Sequence, residues 1–113
     1  MVNENTEDLS DYIVELNQDS AVIIVKFFRG SYKDAREFNN VLTQIIDDGF
    51  QKIIIDFQHV DFIDSTFLGT LVIGLKKIRN AGGKINIINL NHSVYRIFEF
   101  TGFIKYLSPI ESD

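Results

Sequence analysis

The chain has 113 residues, of which 45% are hydrophobic and 24% are charged, and its formal net charge at pH 7 is −5. This length and composition are typical of one globular domain and exclude wholesale disorder. The sequence contains no cysteine, which excludes disulfides, a thiol nucleophile and cysteine-ligated metal sites. Its acidic balance disfavours direct binding to nucleic acids, whose phosphates it would repel.

The sequence also bears on the location of the protein. No apolar run approaches the roughly 18 residues that a membrane span needs, so we expect no membrane insertion. Residues 1–10 are polar and acidic, unlike a secretory signal. We therefore predict a flexible N-terminal tail over 1–10, a domain over 11–113, and a cytoplasmic protein.

The first half of the chain predicts a hairpin, a helix and a strand. β-type runs at 12–16 and 21–28 are joined by a short polar turn, which favours a hairpin. Apolar residues recur at three- and four-residue steps between 34 and 48, which indicates an amphipathic helix that Gly49 ends. The unbroken isoleucines at 53–55 predict a strand that is covered on both faces.

The second half continues the alternation. Helical periodicity over 66–80 is followed by a strand over 84–90, a helix over 92–101 that Gly102 ends, and a last short strand over 104–107. This order predicts a single α/β domain with a mixed, mostly parallel sheet that starts from the opening β-hairpin. In such sheets, sites lie beyond the carboxyl ends of the strands, here after Phe57.

The segment after Phe57 carries most of the polar chemistry. Asp61, Asp64, Ser65 and Thr66 lie between a buried strand and the start of a helix. Ser65 is a natural N-cap, because its hydroxyl can accept a hydrogen bond from the free amides of the first helical turn. One interpretation is that Asp64, Ser65 and Thr66 only cap this helix.

The same helix has an unusual face. Gly69 and Gly74 interrupt it, at a cost of about 1 kcal/mol each relative to alanine, and both lie off its apolar stripe. Ile73 also lies off that stripe. These positions indicate a face that another backbone approaches, so we place Gly69 and Ile73 among the candidate partner-binding residues.

Enzymatic chemistry finds little support in the sequence. His59 and His92 lack the short spacing of metal ligands. The flanks of Ser65 do not form the Gly-x-Ser-x-Gly turn of a serine hydrolase. Gly82-Gly83-Lys84 follows a helix and precedes a strand, the reverse of a phosphate-binding loop. We therefore predict no catalytic residue, metal site or cofactor, and interpret the cluster Lys76, Lys77 and Arg79 as the solvated end of a helix.

Two stretches resemble the STAS family, the domain of bacterial anti-sigma factor antagonists. The first is the strand Ile53-Ile54-Ile55-Asp56 followed by Asp64-Ser65-Thr66, Leu68-Gly69 and the turn Gly82-Gly83. The second is Val94-Tyr95-Arg96-Ile97-Phe98 with Thr101-Gly102-Phe103. The resemblance covers about residues 12–107 and implies the STAS fold.

The resemblance also implies a function. Family members are binding modules, and the serine directly after the Asp is phosphorylated by a partner kinase that is also the anti-sigma factor. By position that serine is Ser65, with Thr66 as the secondary candidate. A PP2C-type phosphatase reverses the modification. A phosphate adds about −1.5 to −2 charges beside Asp64, which suits a switch that expels a partner.

The sequence departs from the family at two positions. Phe67 stands where the family usually has glycine. Three interpretations of its ring are open: it hinders a kinase, it is a partner contact that fills a pocket, or it is an extra core contact. Lys33 stands where the family has an Asp close to the phosphoserine, unless Asp34 takes that place. A lysine near Ser65 would attract a phosphate. The candidate partner-binding residues are therefore Lys33, Asp64, Ser65, Thr66, Phe67, Gly69 and Ile73.

Two other functions remain open at this point. One is a constitutive STAS-type subunit that docks on the ATPase of an ABC transporter, in which the hydroxyl at the helix start is a contact residue. The other is a small hydrolase or nucleotide-binding enzyme, for which the chain offers no nucleophile with a positioned base.

Overall fold

Strands and helices alternate along the chain in the computed structural model, which describes residues 6–106. The strands are β1 (Thr6–Leu9), β2 (Tyr12–Leu16), β3 (Ser20–Val25), β4 (Arg29–Gly30), β5 (Lys52–Asp56), β6 (Phe62–Ile63) and β7 (Lys84–Ile88). The helices are α1 (Tyr32–Asp47), α2 (Ser65–Asn80) and α3 (His92–Thr101), followed by a 3-10 helix at Phe103–Tyr106. Among these described residues, no helix has the length and apolarity needed to cross a membrane.

Five strands form the main sheet in the order β1-β2-β3-β5-β7. The pairs β1–β2 and β2–β3 are antiparallel, and the pairs β3–β5 and β5–β7 are parallel. Strands β4 and β6 form a separate parallel pair. The predicted mixed and mostly parallel sheet is therefore confirmed. Because β3, β5 and β7 run in the same direction, their carboxyl ends meet at one edge of the sheet.

One face of the sheet and the three helices share a single core. On β3, Ala21, Ile23 and Val25 are fully buried, whereas the residues between them are half-buried. The same alternation holds on β5, where Ile53 and Ile55 are buried and Ile54 is half-buried. The prediction that β5 is covered on both faces is therefore wrong, because the helices cover only one face completely.

Helices α1 and α2 pack closely where α2 carries its second glycine. A Cβ atom added at Gly74 would overlap the side chain of Leu42, which is buried in α1. A Cβ atom added at Gly69 would meet no atom within 4 Å. The prediction that another backbone approaches the glycine face is therefore wrong at Gly74, where the neighbour is the Leu42 side chain of the same chain. Gly69 lies in open space.

Two predictions at the ends of the chain need correction. Thr6–Leu9 form β1, so the predicted tail over 1–10 is wrong there, and residues 1–5 lie outside the described residues. Backbone pairing with β2 builds this strand, whose side chains are mostly exposed, so apolar patterning gave no sign of it. The predicted strand over 104–107 is also wrong. The left-handed Gly102 ends α3, and Phe103–Tyr106 continue as a 3-10 helix, while residue 107 lies outside the described residues.

The two glycines of α2 give opposite predictions for alanine substitution. We expect Gly69→Ala to raise the free energy of unfolding by about 0.5–1 kcal/mol, because alanine favours the helix and has free space there. We expect Gly74→Ala to lower it by about 1–2 kcal/mol, because displacement of the buried Leu42 side chain outweighs the helix gain. Urea unfolding of both variants measures the difference, and equal effects would contradict the close packing at Gly74.

Candidate functional site

The carboxyl edge of the sheet is where the chain segments after β3 and β5 meet. The amide of Asp61 donates to the carbonyl of Phe28 over 2.7 Å, and the amide of Asp64 donates to the carbonyl of Gly30 over 2.8 Å. Between these bonds, β4 and β6 pair with Arg29 opposite Phe62 and Gly30 opposite Ile63. This small parallel ladder brings the entry to α1 beside the entry to α2.

The Asp64 carboxylate joins the starts of the two helices. Its Oδ1 accepts a hydrogen bond from the amide of Phe67 over 2.8 Å, in the manner of an N-cap. Its Oδ2 accepts from the amide of Tyr32, the first residue of α1, over 2.8 Å. Asp64 is therefore the N-cap of α2, and the prediction that Ser65 is the cap is wrong. The reason is that Asp64 has extended backbone geometry, whereas Ser65 is already the first helical residue.

Ser65 and Thr66 present their hydroxyls at the surface of the first turn of α2. Both residues are exposed. Within residues 6–106, no hydrogen bond engages the Ser65 hydroxyl or the Thr66 hydroxyl. Because Asp64 already satisfies the first turn, these hydroxyls are not needed as caps. They are free to react with or contact another molecule.

The other two carboxylates of this segment are bound internally. Asp56 is only 8% exposed, and its Oδ1 accepts from the amide of Gln58 over 2.9 Å and from Asn89 Nδ2 over 3.0 Å. Asp61 Oδ1 accepts from Asn91 Nδ2 over 2.8 Å. Asn91 is in turn the N-cap of α3. These carboxylates thus tie the loop after β5 to the end of β7 and the start of α3.

Phe67 lies inside the core. Its side chain is fully buried, and its ring lies 5.5 Å from the ring of Phe27 and 4.9 Å from the ring of Phe38. Both of those rings also contact the ring of Tyr12, at 5.7 and 5.9 Å. The interpretation of Phe67 as a partner contact is therefore wrong, since its ring has no exposed surface to offer. The alternative, an extra core contact, is confirmed.

Exposed aromatic residues, which the sequence did not single out, lie on the segments that the β4–β6 ladder joins to the two helix starts. Phe28 is 60% exposed, Tyr32 63% and Phe62 38%. The guanidinium of Arg29 lies 4.7 Å from the centroid of the Phe62 ring. Such neighbouring exposed apolar side chains are typical of protein interaction surfaces. We call Phe28, Tyr32 and Phe62 the aromatic rim. In the sequence, Phe28 and Tyr32 lie on both sides of the Gly30-Ser31 break, and this pattern could have predicted part of the aromatic rim.

The remaining candidate residues lie on the same surface or near it. Ile73 is 63% exposed and Gly69 half-buried, on the face of α2 that also carries Thr66. Lys33 is exposed on the first turn of α1. Asp34 is engaged in a capping box, in which its Oδ2 accepts from the amide of Ser31 over 3.0 Å. Asp34 is thus tied to its own helix start.

Negative charge accumulates where α1 meets the start of β2. Burial raises the pKa of the Tyr12 hydroxyl, and the carboxylates of Glu37, Asp34 and Asp11 raise it further. Loss of hydration also raises the pKa of Glu37, with Asp11 and Asp34 acting in the same direction. Within the described residues the Tyr12 hydroxyl has no hydrogen-bond partner. It is therefore held neutral in the core beneath this acidic group.

Within residues 6–106, no three histidine, aspartate or glutamate side chains are grouped so that they could hold a metal ion. His59 and His92 are both exposed. The carboxylates of this segment, Asp56, Asp61 and Asp64, are all bonded internally. This arrangement suits recognition of a surface hydroxyl by a second molecule.

We expect Asp64→Ala to lower the free energy of unfolding by about 2–3 kcal/mol, because two helix-start amides lose a charged acceptor. Asp64→Asn keeps one acceptor oxygen and should lose about half as much. Asp47→Ala, at an exposed position near the end of α1, is the control and should change stability by less than about 0.5 kcal/mol. Equal midpoints for Asp64→Ala and Asp47→Ala in chemical unfolding would contradict the bridging role of Asp64.

Part of this chain is similar in sequence to curated proteins. An anti-sigma-B factor antagonist from Staphylococcus aureus is 33% identical over 66 residues, which cover 58% of this chain and 61% of the relative. The match therefore spans about three fifths of the length of that relative. The same protein from another strain of that species matches at the same identity. A putative anti-sigma factor antagonist, BtrV from Bordetella bronchiseptica, is 25% identical over 72 residues, which cover 64% of this chain and 62% of that relative.

Solved structures share the fold. An anti-sigma factor antagonist from Mycobacterium paratuberculosis superposes with a TM-score of 0.74 at 20% identity, covering 85% of this chain and 80% of that protein. Phosphorylated SpoIIAA, the Bacillus cell fate determinant, superposes with a TM-score of 0.69 at 16% identity. The match covers 89% of this chain and 92% of that protein. The sequence model of the STAS domain matches residues 13–113. With this match over most of the chain and the same arrangement of helices and sheet, the protein belongs to the STAS domain family.

Proposed function

We propose that this domain is a non-catalytic binding module that acts as an anti-sigma factor antagonist and is switched by phosphorylation of Ser65. The observation that carries the proposal is the free, exposed Ser65 hydroxyl on the first turn of α2, directly after the Asp64 cap. Thr66 is exposed beside it and is the secondary acceptor. The proposed partners are a serine kinase that is also the anti-sigma factor and a PP2C-type phosphatase.

The surface around Ser65 supports a binding role. The aromatic rim lies on the two segments that the β4–β6 ladder joins to the starts of α1 and α2. Ile73 extends the exposed apolar surface along α2. Buried aromatic residues contribute a large share of the energy at protein interfaces. A partner that covers the rim would therefore lie over Ser65 as well.

The same geometry explains how a phosphate would act. Transfer of the terminal phosphoryl group of a nucleoside triphosphate to Ser65 Oγ releases the nucleoside diphosphate and the hydroxyl proton. It replaces a neutral hydroxyl with about −1.5 to −2 charges. The charge enters an interface that is built on apolar contacts, where a buried and unpaired charge is strongly unfavourable. The Asp64 cap does not use the Ser65 hydroxyl, so the domain itself should stay folded.

The proposed switch predicts how variants of Ser65 behave in a pulldown from the native cell with intact-mass analysis. Wild type and Thr66→Ala should carry an added phosphate mass. Ser65→Ala should lose most of it, and the double variant Ser65→Ala/Thr66→Ala should carry none. Ser65→Asp should lose the kinase-like partner, with at least about tenfold weaker binding, because its carboxylate places a charge in the interface.

The control is Ser93→Asp, which adds the same charge at an exposed position on α3 and should keep the partner. Equal retention of a partner by wild type, Ser65→Ala and Ser65→Asp, without any added mass, would overturn the switch. An ATPase as that partner would favour a constitutive subunit of an ABC transporter instead.

A further inference from the structure

Cationic side chains lie beside the start of α2, on the segment that leads into α1. Lys33 is the second residue of α1 and is exposed, and Arg29 is exposed on β4. Tyr32, the chain neighbour of Lys33, donates its amide to Asp64 over 2.8 Å. Asp64 is in turn the chain neighbour of Ser65. One hydrogen bond therefore connects the neighbour of Lys33 to the neighbour of Ser65.

This connection places the two residues near each other at the adjoining helix starts. Consecutive Cα atoms are about 3.8 Å apart, so Lys33 and Ser65 each lie one such step from the bonded pair. The lysine ammonium sits on a flexible four-carbon stem. Both side chains are exposed, so either can turn towards the other without disturbing the core.

The nearby carboxylates are already engaged, whereas Lys33 is not. Asp34 is bonded to Ser31, and both oxygens of Asp64 accept backbone amides. Asp61 is bonded to Asn91. The only ion pair among residues 6–106 joins Lys26 and Asp8, so Lys33 is not part of one.

Other charged side chains near Lys33 could compete with a phosphate for its ammonium group, or compete with Lys33 for the phosphate. Glu37 lies one turn further along α1 and belongs to the acidic group with Asp11. The guanidinium of Arg29 is held against the ring of Phe62 on the neighbouring strand β6. A doubly charged phosphate is a stronger partner for a lysine than one solvated carboxylate.

We propose that Lys33 is the internal ion-pair partner of a phosphate on Ser65, so that the phosphorylated domain binds its own phosphate. The inference rests on the proposed phosphorylation of Ser65 and deepens it. Lys33 lowers the net charge that the phosphorylated surface presents.

The test uses the full chain with phosphoserine inserted at position 65 during translation, and follows the phosphate by phosphorus NMR over a pH titration. The second pKa of phosphoserine is about 6. We expect it to be about 0.5 lower in the otherwise native chain than in Lys33→Gln, because a nearby cation favours the dianion. Lys33→Arg should keep the low value, and high salt should shrink the difference.

Lys76→Gln is the matched control, because it removes the same charge from an exposed position on α2. Lys76 lies eleven residues beyond Ser65, about 16 Å along the helix and beyond the screening length of about 8–10 Å. In the Lys76→Gln variant, the phosphate on residue 65 should therefore titrate with the same pKa as in the native chain. The same pKa in Lys33→Gln and in the native chain would overturn the ion pair. Because the phosphoserine is built in, this result is independent of whether a kinase modifies Ser65.

Discussion

The Asp64 carboxylate is the contact on which the geometry of the site depends. One oxygen caps α2 and the other binds the first amide of α1, so a single side chain sets the relative position of two helix starts. A carboxylate is well suited to this role, because it has acceptor sites on both oxygens and favours the positive end of a helix dipole. Two helices that also interlock at Gly74 and Leu42 are thereby fixed at their first turn and along their length.

Because the carboxylates are bonded internally, the exposed groups at this edge of the sheet are mainly hydroxyls, apolar side chains and cations. Asp56, Asp61 and Asp64 are used as internal acceptors, and they hold the loops at the carboxyl edge of the sheet. The groups that remain for another molecule are the hydroxyls of Ser65 and Thr66, the aromatic rim, Ile73, Arg29 and Lys33. An apolar surface with a central hydroxyl responds strongly to one added phosphate, because the phosphate changes the charge there without altering the internal bonds.

Phe67 anchors the first turn of α2 in the core. Its ring joins those of Tyr12, Phe27 and Phe38, so the first turn of α2 rests on a buried aromatic cluster that reaches across to β2 and α1. In a densely packed interior such a cluster resists small displacements. A change at Ser65 is therefore expected to act on the surface, through charge, more than through movement of the helix.

The sequence by itself determined the alternation of strands and helices, the extent of α3 at residues 92–101, and the position of Ser65 and Thr66 at the start of a helix. These follow from local periodicity and from residues that end helices, such as Gly102. Tertiary structure alone decided that Asp64 and not Ser65 is the cap, that Phe67 points into the core, and that Thr6–Leu9 form a strand. Each of these depends on groups distant in the chain. Asp64 binds Tyr32, which lies 32 positions away in the chain. Phe67 contacts rings from α1 and from the segment after β3. Strand β1 is held by backbone pairing with β2, and the side chains of β1 show no apolar pattern that would predict it.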